Sequence, residues 1–193
     1  MITKLFLLTA LSLMVSSQNH GSYGDPESSS KLHTKFPSEN VSFIEIGQYS
    51  GEVNDWKYKK SYYVSKSFKA NWDVAKAICR SFDLELATFE TLEEFQNFEK
   101  ILESTNPFSD IAHVDGITTK LGSFSDWYWT NSGAKIPYSL LWNPTQPDNG
   151  KGSEEACLSL QKFQGKYGFN DYFCSKQATV FICQKTQLFH GCF

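Results

Sequence analysis

Gln146, Asp148 and Glu155 fall within ten residues of one another in NPTQPDNGKGSEEAC, residues 143–157, a run with almost no apolar side chain. A second oxygen-rich pair, Asn170-Asp171, stands three residues before Cys174. Carboxylates, carboxamides and carbonyls are the donors that a hard cation takes, and calcium binds six to eight such oxygens. Q-P-D alone reads as a solvated loop. The addition of E-x-C and N-D-x-x-C at this spacing reads as a ligand set instead. If Cys157 and Cys174 pair, the bond closes a loop of roughly 17 residues, contributes about 3 kcal/mol and brings Glu155 beside Asn170-Asp171. Three carboxylates that close repel one another without a cation.

Catalytic chemistry finds little support. Of the four histidines, His20, His33 and His190 lie outside the patterned region, leaving His113. A lone histidine of this kind is structural more often than catalytic. The chain contains no H-E-x-x-H, G-x-S-x-G or P-loop motif, and the sequence makes no case for an enzyme. A net charge of -3 provides no basic field for nucleic acid or an anionic membrane.

These oxygens need a frame. Apolar residues make up 40% of the 193, and aromatics 16%, enough for a sizeable core. Lys4, the apolar run Leu5 to Val15, and Ser16-Ser17 fit a secretory signal peptide over 1–17, the run being too short for a bilayer. Residues 18–40 are Ser-, Gly- and Pro-rich and read as a flexible linker, ending at the sequon Asn40-Val41-Ser42, a candidate glycan site. FIEI (43–46) and SYYVS (61–65) are strand-like. Asn71 is placed to cap a helix carrying Trp72, Ala75, Cys79 and Phe82. Thr91 and Glu94 have capping-box spacing before Phe95, Phe98 and Leu102. Both helices read as core scaffolding. After about residue 105 the short runs WYWT, CLSL, KYGF and TVFIC remain, with long polar connections between them. The expected fold class is α+β, with two helices, small antiparallel sheets and a long loop.

Secretion makes pairing the rule for cysteines. Cys79, Cys157, Cys174 and Cys183 allow three pairings, and spacing does not choose among them. Cys192, in a stretch 187–193 read as a tail, is the odd thiol and suggests a disulfide-linked dimer.

Over residues 43–185 the chain resembles a C-type lectin domain, similar in style to the secreted single-domain lectins of insects, and 41–186 is assigned to it. The resemblance is carried by ANWDVAKAICRSFDLELATFETLEEF, WTNSG, WNPTQPDN, EEAC, FNDYFC and TVFICQ. It implies the pairs Cys79–Cys183 and Cys157–Cys174, and a cis bond before Pro147. It implies that Gln146, Asp148, Glu155, Asn170 and Asp171 hold one calcium, leaving two coordination places for vicinal sugar hydroxyls. The Q-P-D order implies galactose-type glycans, as in recognition of microbial or self surfaces; the alternative is a protein-interaction module of the same fold that does not use sugar. The chain departs from the pattern in three places. Gly150 follows Asn149 where galactose-selective relatives often carry tryptophan, which leaves Tyr167 as a ring that could stack on sugar. Asn149 and Ala156 replace carboxylates of an auxiliary calcium, so one site is expected. Phe169 replaces the tryptophan of W-N-D and is expected in the core.

Overall fold

The computed structural model describes residues 41–53, 56–66, 68–136, 142–152 and 154–190. The signal peptide, the linker, Asn40 and Cys192 lie outside the described residues. Among the described residues, eight strands and two α-helices follow in chain order: β1 (Ser42–Val53), β2 (Trp56–Lys66), α1 (Trp72–Ser81), β3 (Glu85–Leu86), α2 (Leu92–Thr105), β4 (Ile111–Thr118), β5 (Trp127–Tyr128), β6 (Cys157–Phe163), β7 (Lys166–Tyr172) and β8 (Val180–His190). The fold class is α+β, as the sequence pattern implies.

Both helix starts follow from local chemistry. The Asn71 carboxamide accepts the Val74 N–H at 2.9 Å, and the Thr91 hydroxyl accepts the Glu94 N–H at 3.1 Å. The return half of the second cap is displaced by one residue, because Glu94 accepts from the N–H of Glu90 rather than Thr91. Asn106 closes α2 in the left-handed conformation, which asparagine tolerates better than most residues.

The sheet runs β1-β2-β8-β4-β6-β7, with β3 on β8 and β5 on β4. Each of these pairings is antiparallel except β4 with β8. Two differences from the sequence pattern matter. The polar stretch between FIEI and SYYVS is strand on both sides of the connection, so β1, β2 and β8 form a long three-stranded ribbon in which Val53 and His190 both stand opposite Trp56. β8 thus continues four residues into the stretch read as a tail. The second difference is β4, which no apolar run announces: it carries His113, Asp115 and Gly116, yet is buried along most of its length.

The main core gathers side chains from both helices and the sheet, and Phe89 is its aromatic hub, in ring contact with Tyr62, Phe95, Phe98, Trp129 and Phe169. Phe169 is fully buried, so the ring that replaces the motif tryptophan is a core ring as expected. A second cluster surrounds α1 and includes the Cys79–Cys183 disulfide, which ties the first helix to the last strand across 104 residues.

A buried ion network also holds α2 to β2. The Lys60 ammonium, 3% exposed, meets the carboxylates of Glu90 and Glu94 and the Thr88 carbonyl. The Tyr62 hydroxyl donates to Glu94 at 2.8 Å. Burial pushes the Glu94 carboxyl up to about 7, with Lys60 pulling it down and Glu90 adding to the rise.

Candidate cation site

Three elements bring the oxygen-bearing residues together. β6 begins at Cys157, two residues after Glu155, and β7 carries Asn170 and Asp171. The Cys157–Cys174 disulfide fixes that end of the β6–β7 hairpin, as the resemblance implied. The third element is the loop 142–152. Its base is pinned by Asn143, whose carboxamide donates to Gln161 O at 3.0 Å and Gly168 O at 3.3 Å, and whose N–H donates to Phe169 O. A Cβ at Gly168 would lie 2.4 Å from Asn143 Oδ1 and 3.0 Å from Asn143 N. Gly168→Ala should therefore lower stability by about 1–3 kcal/mol through overpacking, measured by urea titration.

Further along, Thr145 sits at φ +71°, a strained conformation for a β-branched residue. The Gln146-Pro147 bond is cis. Asp148 then heads a single 3-10 turn, Asn149–Lys151, and accepts the Gly150 N–H at 3.0 Å.

The carboxylates of Asp148, Glu155 and Asp171 offer one oxygen each, all within 4.8 Å of one another. Asp148 is exposed at the rim, while Glu155 and Asp171 are 8% and 1% exposed. Asp171 accepts the N–H groups of Asp148 and Asn149 at 3.1 and 2.7 Å. Asn170 is 7% exposed, and its carboxamide N–H donates to the Asp171 carbonyl at 2.6 Å, which places it against the same residue. Gln146 precedes Pro147 in the same loop, and its Oε1 is a buried acceptor with no hydrogen-bond partner among the described residues.

Burial and mutual repulsion dominate the electrostatics of this group. Burial, then the charges of Asp171 and Asp148, push the Glu155 carboxyl up to about 7, with Lys176 opposing. Burial also raises Asp171, against the pull of the backbone N–H groups it accepts. Three crowded carboxylates are a donor set for a hard cation, all oxygen and net negative, and the orphaned Gln146 amide oxygen lies two residues from Asp148 in the same loop.

The other residues that the sequence singles out fall elsewhere. Tyr167 is 3% exposed, donates its hydroxyl to Phe108 O at 3.2 Å and packs on the Phe108 ring, so it does not offer a face to sugar. Apolar surface beside the loop comes from Leu121 and Phe124, both exposed, on a segment where a Cβ at Gly122 would sit 3.7 Å from Asn149 Cβ. His113 is structural: buried, bonded through Nε2 to Lys176 O, and pushed down to about 4 by burial. Sequence reasoning missed Asp115, a buried carboxylate that accepts from Thr130 and Asn131 N–H and so anchors the W-T-N-S-G turn to β4. It missed equally that Asn149 is a hub of this loop.

No protein-family profile matches the chain. Among curated proteins, it is 35% identical over 134 residues to C-type lectin 37Da of Drosophila melanogaster, covering 66% of this chain and 69% of that one. It is 28% identical over 141 residues to perlucin of Haliotis laevigata, covering 67% and 79%. Among solved structures, the carbohydrate-recognition domain of the mouse scavenger receptor C-type lectin superposes with a TM-score of 0.52 at 25% identity, over 70% of this chain and 94% of that one. The C-type lectin domain of murine dendritic cell inhibitory receptor 2, solved with an N-glycan, has the same fold at TM-score 0.52 and 19% identity, covering 71% of this chain and 100% of that one.

Proposed function

Because this chain belongs to the C-type lectin family, we propose that it is a secreted lectin that binds galactose-type glycans through a single calcium ion. The observation that carries this reading is the convergence of the Asp148, Glu155 and Asp171 carboxylates within 4.8 Å, on a loop where the Oε1 of Gln146 is a buried acceptor without a hydrogen-bond partner among the described residues. Gln146, Asp148, Glu155, Asn170 and Asp171 would hold the ion, which offsets their repulsion and offers its open coordination places to vicinal hydroxyls. Asn149 and Ala156 supply no carboxylate for an auxiliary ion, in keeping with one site. The two disulfides suit an oxidising, extracellular compartment. No helix among the described residues is long and apolar enough to cross a membrane. The signal peptide over 1–17, the glycan at Asn40 and a dimer through Cys192 are part of the same proposal.

The sugar preference rests on donor-acceptor polarity. In Q-P-D the carboxamide precedes the proline and the acceptor-only carboxylate follows it, whereas E-P-N reverses the two. Within the family the first order goes with an axial 4-hydroxyl, and the second goes with mannose. Replacing Gln146 with Glu and Asp148 with Asn together should move the galactose-to-mannose affinity ratio towards mannose on the order of tenfold, the factor given by about 1.4 kcal/mol of hydrogen bonding. Competition assays with the two monosaccharides check it; undiminished galactose selectivity would count against polarity as the source of the preference. A glycan array run with calcium and then with EDTA tests the function itself. Galactose-type spots that vanish in EDTA support the lectin, while no glycan signal alongside metal-independent protein capture supports the interaction module.

A further inference from the structure

The segment between Asp148 and Glu155 leaves the site and returns to it within seven residues, and among its described residues three are left-handed: Asn149 at φ +50°, Gly150 at +44° and Gly152 at +96°. A loop of this kind has many alternatives, and glycine widens the choice. The β6–β7 pairing and the Cys157–Cys174 disulfide bring Cys157 beside Tyr172, but Glu155 lies before that pair and needs a contact of its own to hold it against the repulsion of Asp148 and Asp171. Asn149 makes the necessary contacts. Its N–H donates to Asp171 Oδ2 at 2.7 Å, and its side-chain Oδ1 accepts the Glu155 N–H at 3.2 Å. Its Cβ lies where a Cβ at Gly122 would be 3.7 Å away, so the loop 119–126 also abuts it. Asn149 therefore connects β7, the approach to β6 and a third loop through contacts of the protein alone.

We propose that Asn149 is a positioning residue: its carboxamide holds the backbone of Glu155 in place, so that the cation site is assembled before the cation arrives. This rests on the calcium reading above and goes beyond it, because it assigns the order of the site to a protein hydrogen bond rather than to the metal. Asparagine suits both halves of the task. It tolerates a left-handed backbone better than most residues, and it offers an uncharged acceptor where another carboxylate would add to the repulsion. Pre-set ligands bind more tightly because less ordering remains to be done on binding.

The test uses the full chain and calcium alone as the probe. Asn149→Gly keeps the left-handed backbone, and with it the N–H bond to Asp171, while deleting the side-chain acceptor. Asn149→Asp keeps an acceptor in the same place. In calcium-free protein, the amide of Glu155 should exchange with deuterium about fivefold faster in the glycine variant, as expected for the loss of about 1 kcal/mol of hydrogen bonding, and by a smaller factor in the aspartate variant, whose carboxylate keeps the acceptor but adds to the repulsion. In calorimetry the glycine variant should bind calcium about fivefold more weakly, and the aspartate variant no more weakly than the parent. Unchanged exchange at Glu155 in the glycine variant overturns the proposal, whatever happens to calcium affinity. Faster exchange with unchanged affinity also overturns it, since the clamp would then not serve the site. If the parent chain binds no calcium, it is the functional reading that fails, and the exchange at Glu155 still decides whether Asn149 holds the loop.

Discussion

Asp148→Ala should abolish retention on a galactose resin and weaken calcium binding by about a hundredfold or more, from an expected dissociation constant on the order of 10⁻⁴ to 10⁻³ M for an extracellular module. The domain should stay folded. Asp148 stands exposed at the rim, and its carboxylate accepts the Gly150 N–H within its own turn. The backbone N–H that it gives to Asp171 does not depend on the side chain. Loss of one carboxylate also relieves Glu155, which Asp148 and Asp171 both push up. In EDTA the variant should therefore melt within about a degree or two of the parent, or slightly above it. Circular dichroism in EDTA and calorimetry with calcium measure the two halves. A variant that still elutes from the resin only with galactose would remove Asp148 from the site.

The largest expected effect on stability lies away from the loop. Lys60→Met leaves Glu94 buried without its counter-ion, a change that typically costs about 3–5 kcal/mol. The size should depend on pH in a defined direction. The Glu94 carboxyl stands at about 7 in the folded protein, above the ordinary value of 4.5, because burial disfavours its charge. A carboxyl raised on folding makes the folded state the better proton binder. Its penalty is full above pH 7 and fades as pH falls towards 4.5. Without Lys60 the carboxyl rises further, so the variant should be weakest near pH 8 and recover much of the loss near pH 5. Glu94→Gln added to Lys60→Met should restore much of the stability at pH 8, since a neutral carboxamide can accept the Glu90 N–H through its oxygen and donate its amide to the Tyr62 hydroxyl oxygen, which in the parent donates to Glu94. Urea titrations of the single and double variants at the two pH values check this. A pH-independent loss would mean that Glu94 is not the group left uncompensated.

What could be read from the sequence was whatever carries its signal locally. Asn71, Thr91 and the helical spacing of Trp72, Ala75, Phe95 and Phe98 mark two helices because caps and periodicity act over a few residues. The runs at Cys157, Lys166 and Val180 are strands because short apolar stretches flanked by turn residues have few alternatives. What could not be read depends on partners distant in sequence. β4 hides behind His113 and Asp115, whose burial is tolerable only because Lys176 and Thr130 meet them from 63 and 15 residues away. β2 places a lysine inside the core, which reads as solvated surface until Glu94 is known to lie above it. At the candidate site the oxygen-bearing residues were visible, and the Cys157–Cys174 pair and the family resemblance implied their convergence; the backbone contacts that produce it were not visible. The carboxylates of Asp148 and Asp171 meet because β7 runs beside the loop, and the role of Asn149 depends on a left-handed backbone that asparagine permits but does not announce.

The register of the ribbon has a practical consequence for how the domain is attached to anything else. Ser42 stands opposite Lys66 at one end of β2, and His190 stands opposite Trp56 at the other. Roughly ten residue steps of strand separate those positions along β2, about 33 Å at the usual rise. The described domain is therefore entered and left at opposite ends of one stiff element. An anchor placed before residue 42 and an anchor placed after residue 190 would hold the proposed sugar-binding surface at different tilts to a chip, a bead or a second domain. Two preparations, tagged at one end or the other and immobilised at equal density, would present the site to a multivalent glycan in two geometries.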